Sequence, residues 1–535
     1  MVTSPIISRQ RPGSACEECR RRKVRCDRRR PQCQVCFENG IECKINTTRL
    51  PRGPRKAALE RCLADQHPEI SHNMTGSFDG SMVECDFEED PFPDFDPLTK
   101  LRSASLHDDQ TSEIKLPSSP DSPPRASGLV SDLMRADLDQ LYFDRVHSFA
   151  PILQRWRYHG WAKDPKKTEG QVCLQYAMWT IAACLSAHFW GLRDALYQET
   201  RRMLDILDVR EARDRGVGIE QAQAWVLISV YEYMHVSMHQ AWMSAGRCCR
   251  LVLGMRLYEL DDPNNPATLA RDHDLALVDW ADWAGLEEQR RTFWMAYSLD
   301  RFISLHSSLP FTLNEHLICT RLPSPEEDFQ AGQPVVTRYL ADVMAGASPD
   351  SHESAAVSPF CECIILATIC GRGLAHRQKL AVEQINGAVY EGFWNRHQWL
   401  HEMVSHRIRL LSAPAHVDPM LVFARIIAQT MVLFLHNVLE SITWKTGDHL
   451  LGIIDYERLC VLAAHEVLKL VKLQAQLGYF KVHPLTPIPL LMCADFFTAH
   501  AYIDPLFDVM RQEVVRCLQD LDRVKNPRLS RDMSA

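Results

Sequence analysis

The chain has 535 residues, 46% of them hydrophobic, which leaves room for two or three domains of ~100–200 residues and a large core. The formal charge of −8 is segregated: residues 1–66 carry sixteen Lys and Arg against seven Asp and Glu, a net of +9, leaving about −17 for the remainder. A basic head on an acidic body points to nucleic acid as the partner of the head, and no run of about 20 uncharged apolar residues is present to cross a bilayer, so no membrane is expected.

Residues 1–15 read as a disordered tail without the apolar run of a secretory signal. Residues 16–43 then place six cysteines as C-x2-C-x6-C-x6-C-x2-C-x6-C: Cys16, Cys19, Cys26, Cys33, Cys36 and Cys43. Each half, C-x2-C-x6-C, repeats the other. Thiolates are favoured zinc ligands and structural zinc is tetrahedral. A C-x2-C pair brings two sulfurs to one metal from a single turn, and the third cysteine follows one short helix later. Two zinc ions need eight bonds and only six sulfurs are present, so two sulfurs must bridge; symmetry selects Cys16 and Cys33, the first of each half. The resulting cluster carries a charge of −2 among Arg and Lys side chains. The competing explanation, a disulfide scaffold, fits poorly with a large chain whose other thirteen cysteines are scattered. A module of fewer than 30 residues cannot fold on an apolar core alone, so zinc must supply its folding energy.

This segment resembles the fungal zinc binuclear cluster transcription factors. The basic run Arg20-Arg21-Arg22-Lys23-Val24-Arg25 between Cys19 and Cys26 fits the first helix of that family, and Pro31 stands where the family has a proline between the halves. The resemblance implies two Zn2+ ions, double-stranded DNA as partner, and a CGG-like triplet read by the basic pair Arg22 and Lys23. Lysine and arginine can donate to guanine O6 and N7 in the major groove. Arg20, Arg21, Arg25 and Arg28 are assigned mainly to phosphates, which position the module without specifying sequence.

Residues 44–66 form a basic linker. Many family members follow it with a coiled coil that makes a homodimer. Here only Ala58, Leu59, Cys62 and Leu63 offer helical spacing, short of the three or more heptads a coiled coil needs, so homodimer and monomer both stay open. Residues 67–130 are expected to be disordered, first acidic and then Pro/Ser-rich. Between Cys62 and Thr99 no Lys or Arg occurs, and acids alternate with Phe87, Phe92, Phe95 and Leu98. Such interleaving suits either coactivator binding or a plain acidic spacer.

Residues 131–520 are expected to form a large all-α body, followed by a tail over 521–535. Helical spacing relates Leu138, Leu141, Tyr142, Val146 and Phe149, then Ile219, Ala222, Val226, Val230 and Tyr233, then Trp294, Tyr297, Phe302 and Leu305. Asp418-Pro419 signals a capped helix start, and Leu421–Leu439 reads as a buried helix because Arg425, Gln429 and His436 interrupt its apolar run. Residues 345–359 read as a polar insertion. Trp294 and Tyr297 are expected in the core, Asp300 in an ion pair with Arg291 or Arg301, and Gly246 at a close helix contact. The body also resembles the regulatory (middle homology) domain of the same family over residues 131–340. The carrying stretches are Tyr142-Phe143 to His147 with Pro151-Ile152-Leu153, Ala241-Trp242 to Leu257, Glu288 to Arg301, and Leu322-Pro323-Ser324-Pro325-Glu326.

No enzyme motif survives inspection. His401-Glu402 is followed by His406 where a zinc protease needs a histidine at 405, His465-Glu466 lacks a second histidine, and neither a P-loop nor G-x-S-x-G occurs. The sequence therefore reads as a mainly α, non-enzymatic, nuclear transcription regulator, an activator in the first instance. Its wording resembles regulators of fungal specialised-metabolite gene clusters, including polyketide clusters. The alternative is control of nutrient-use or stress genes by a helical body that senses a small-molecule effector. A third reading is an interaction protein whose own DNA contact is incidental.

Overall fold

The computed structural model describes Cys19, residues 26–27 and 32–38, and Cys43 near the N-terminus. Beyond these it describes residues 130–525 except 212–217, 265–279, 346–356, 387–390, 413–417, 443–447, 477–478 and 503–504. The chain divides into two units, Met1–Lys115 and Leu116–Ala535. Among the described residues every named element is helical, and the one β-type contact is an isolated antiparallel bridge between Arg321 and Tyr339. The mainly α expectation is borne out. In the first unit the described element is α1 (Gln34–Glu38).

The second unit begins at Ser131, whose hydroxyl accepts from Met134 N and caps α2 (Asp132–Leu141); a single π turn, Tyr142–Val146, continues it. After α3 (Arg155–Ala162), Thr168 and Gln171 form a reciprocal capping box at the start of α4 (Glu169–Cys184). Next come α5 (Arg193–Glu211), α6 (Ile219–His235), α7 (Met238–Gly254) and α8 (Trp280–Ser307). Two short helices, α9 (Glu326–Ala331) and α10 (Leu340–Met344), precede α11 (Pro359–Ile385) and α12 (Glu391–Leu411). The described residues end in α13 (Pro419–Glu440), α14 (Asp448–Gln476), α15 (Pro487–His500) and α16 (Pro505–Lys525). Asp418 caps α13 as expected, its carboxylate accepting from Met420 N and Leu421 N.

Every residue of α4 from Cys173 to Cys184 is buried, because α2, α5 and α6 all pack on it. α8 joins the two halves of the body. It packs on α6 and α7 on one side and on α11 on the other, and α11 in turn packs on α12 and α13. Trp294 and Tyr297 of α8 are wholly buried, as expected. α13 packs on α11, α12, α14 and α15, and Leu421–Leu439 is a core helix whose most apolar window is 78% buried.

Of two further sequence expectations, the Asp300 ion pair is met by the second of its two candidate partners and the Gly246 contact is corrected. Arg291 pairs not with Asp300 but with Glu287 (3.1 Å) and Glu326 (2.6 Å), and also donates to Pro151 O and Ser324 O. Asp300 forms the expected ion pair with Arg301, at 3.7 Å, and its carboxylate also accepts from the N–H groups of Thr312 and Leu313, 2.8–3.0 Å away. At Gly246 an added Cβ would meet only Arg250 of its own helix, so no second helix approaches there. The close approach is at Gly373 in α11, where a Cβ would stand 2.7 Å from Met431 Cε of α13.

Candidate metal centre and nucleic-acid interface

The C-x2-C spacing acts locally. Phe37 N donates to Cys33 O at 2.9 Å and closes the first turn of α1, so Cys33 and Cys36 stand one turn apart and both are buried. Cys19, Cys26 and Cys33 bring their sulfurs within 4.8 Å of one another, and Cys33, Cys36 and Cys43 do the same. Cys33 belongs to both groups, which is the placement a bridging thiolate has. The Cys19 and Cys33 sulfurs are 3.7 Å apart, far beyond a disulfide bond of about 2.0 Å. Tetrahedral ligands about 2.3 Å from a shared zinc lie roughly that far apart, so the thiols fit the metal. Cys33 N points at the sulfur of Cys43 at 3.4 Å and stabilises negative charge there.

Asp27, which sequence reasoning passed over, ties the two halves together: its carboxylate accepts from Gln34 N at 3.0 Å and so caps α1. The signal was available, since Asp27 is an acid directly after Cys26 in an otherwise basic run. Cys16 and the basic residues Arg20, Arg21, Arg22, Lys23, Arg25 and Arg28 lie outside the described residues. So do the linker residues Ala58 to Leu63, the acidic segment with Phe87, Phe92 and Phe95, and residues 346–356 of the polar insertion.

In the body, the resemblance stretches meet around a buried ionic cluster on α8. Arg290 donates to Asp261 at 2.8 Å, and Arg291 links Glu287 to Glu326, which also meets His147 at 2.6 Å. Burial alone would raise the Asp261 and Glu326 carboxyls. The hydrogen bonds and charges of Arg290 and Arg321 outweigh it at Asp261, and those of His147 and Arg291 do so at Glu326, leaving both below the ordinary range. The charged groups pair with one another, and the cluster locks the 320–331 segment onto α8. A separate cleft of ≈ 610 Å³ opens between α12, α13 and α14, lined by His401, Arg425, His465 and Glu466 among others. His401 Nε2 meets Ser405 Oγ and His465 Nδ1 meets Val461 O, each within its own helix.

Comparison with known proteins agrees with this geometry. Residues 14–53 match the fungal Zn(2)-Cys(6) binuclear cluster domain, and residues 140–369 match the fungal specific transcription factor domain. A pigment biosynthesis transcriptional activator of Monascus ruber is 41% identical over 98% of this chain and 93% of its own length. A citrinin biosynthesis transcriptional activator of Monascus purpureus is 40% identical, covering 97% of this chain and 92% of its own. An azaphilone cluster-specific transcription factor of Aspergillus niger is 40% identical, covering 90% and 97%. When bound, two zinc ions supply the cross-links that fold the N-terminal module, and the module binds DNA. The chain is therefore no enzyme: it belongs to the fungal zinc binuclear cluster transcription factors.

Proposed function

We propose that this chain activates the genes of one fungal specialised-metabolite cluster, of polyketide type, from the nucleus. The observation that carries the reading is similarity across nearly its whole length to activators named for single biosynthetic pathways. Cys16, Cys19, Cys26, Cys33, Cys36 and Cys43 hold the two ions, with Cys16 and Cys33 bridging; the overlap of two thiol groups at Cys33 supports this. Lys23 and Arg22 read a CGG-like triplet, while Arg20, Arg21, Arg25 and Arg28 grip phosphates. The acidic segment with Phe87, Phe92 and Phe95 contacts coactivators. The cleft between α12, α13 and α14 supports a small-molecule effector as a further partner. Dimerisation would show as paired triplets in the target sites.

Competition binding with the zinc-loaded full chain tests the DNA reading. Each bidentate base contact is worth about 1–3 kcal/mol of discrimination, so Lys23→Ala and Arg22→Ala should lose roughly 5- to 150-fold of the preference for a CGG-containing duplex over a scrambled one. Arg28→Ala should weaken both duplexes alike. Equal behaviour of Lys23→Ala and Arg28→Ala, or no preference in the wild type, would contradict it.

A further inference from the structure

The last turns of α13 and α15 converge on a group that the zinc module does not involve. His436 and Glu440 are four residues apart on one face of α13, and His500 is the final residue of α15. One ligand atom from each lies within 4.8 Å of the others. Glu440 Oε2 stands 2.8 Å from His500 Nε2 and 3.6 Å from His436 Nδ1. Tetrahedral N and O ligands about 2.1 Å from a zinc ion lie roughly 3.4 Å apart, so small side-chain rotations bring all three onto one ion.

Three further observations single out this trio. His436 is 1% exposed, yet neither of its ring nitrogens has a hydrogen-bond partner, an arrangement that leaves a buried imidazole unsatisfied. His500 Nδ1 lies 2.8 Å from Phe496 O, and a carbonyl can only accept, so Nδ1 carries the proton and Nε2 turns toward Glu440. A ligating histidine is oriented in this way, by donating its other N–H to a backbone carbonyl. The ring is further fixed by stacking on Phe496 at 4.0 Å. Both helices end here, and helix C-termini carry partial negative charge that favours a cation.

We propose that His436, Glu440 and His500 bind a third metal ion per chain, a divalent ion of the zinc class, which clasps α13 to α15 in the body. Two imidazoles and one carboxylate are a zinc-type donor set, and water completes the tetrahedron on the side where Glu440 is 37% exposed.

Equilibrium dialysis of the full chain against low-micromolar Zn2+, followed by elemental analysis, tests the site. The wild type should hold three zinc ions, two in the N-terminal module and one here. Glu440→Gln and His500→Gln should hold two, His500→Gln keeping an amide that can still bond Phe496 O. A chain in which Cys16, Cys19, Cys26, Cys33, Cys36 and Cys43 are all replaced by serine should hold one, whether or not the body variants fold. Added Zn2+ should raise the unfolding temperature of that six-serine chain. Two ions in the wild type, three in either body variant, or none in the six-serine chain would overturn the proposal.

Discussion

At Cys33 one sulfur stands within reach of two groups of thiols, and one backbone N–H stabilises a neighbouring thiolate. In the bridged arrangement proposed above, losing that sulfur removes a ligand from both metals at once. Cys33→Ser should therefore release both ions of the module and abolish DNA binding, while the unfolding of the body, a separate unit, stays where it was. Zinc release followed with a chromophoric chelator, beside calorimetry of the body transition, checks both halves of that expectation. Glu288 in α8 makes a different kind of statement. Burial raises its pKa to about 7, against the hydrogen bond from Gln154 N and the charge of Arg157. A carboxyl protonated more readily in the folded than in the unfolded chain stabilises fully below pH ~4.3, its unfolded value. That contribution is lost as pH rises to about 7 and is constant above. Glu288→Gln should flatten this fall, on the order of 3 kcal/mol at most, in denaturant melts run from pH ~5 to 8.

Among the elements, α8 bears the largest burden because it meets both halves of the body. Arg291 lies 1% exposed and joins α8 to the segment before α3 and to α9. Arg291→Met would leave buried Glu287 with only Arg290 and the Ser324 N–H as partners, and breaking a buried pair from one side costs up to about 3–5 kcal/mol. The midpoint of urea unfolding should fall accordingly, and Asp418→Ala, which removes only a helix cap, should cost about 1 kcal/mol. Sequence pattern reached some of these elements and not others, for physical reasons. α2, α6 and α8 carry apolar residues at helical spacing, and the Asp418-Pro419 start of α13 is a local signal. α4 is buried on all sides, so it has no polar face to mark its period. The cysteine spacing was legible because ligand geometry is enforced within a few residues. The partners of Arg290, Arg291 and His500 lie up to 140 residues away along the chain, and only folding reveals them. Gly246 and Gly373 read alike in sequence; which one faces a second helix depends on packing.

For the whole molecule, charge segregation separates the tasks. The +9 head is drawn to phosphates, and the −17 remainder is repelled by them, which confines DNA contact to the module. Binding should weaken steeply with salt, log affinity falling with log salt at a slope of about −0.9 for each phosphate neutralised. Removal of one phosphate-gripping arginine should reduce that slope by about 1. Genome-wide occupancy of the tagged full-length protein in its own organism tests the central claim most directly. The claim predicts peaks concentrated over one contiguous set of biosynthetic genes, with CGG-like triplets beneath them, and their loss in Cys33→Ser. Peaks scattered over transport and catabolic genes, or peaks that survive Cys33→Ser, would contradict it.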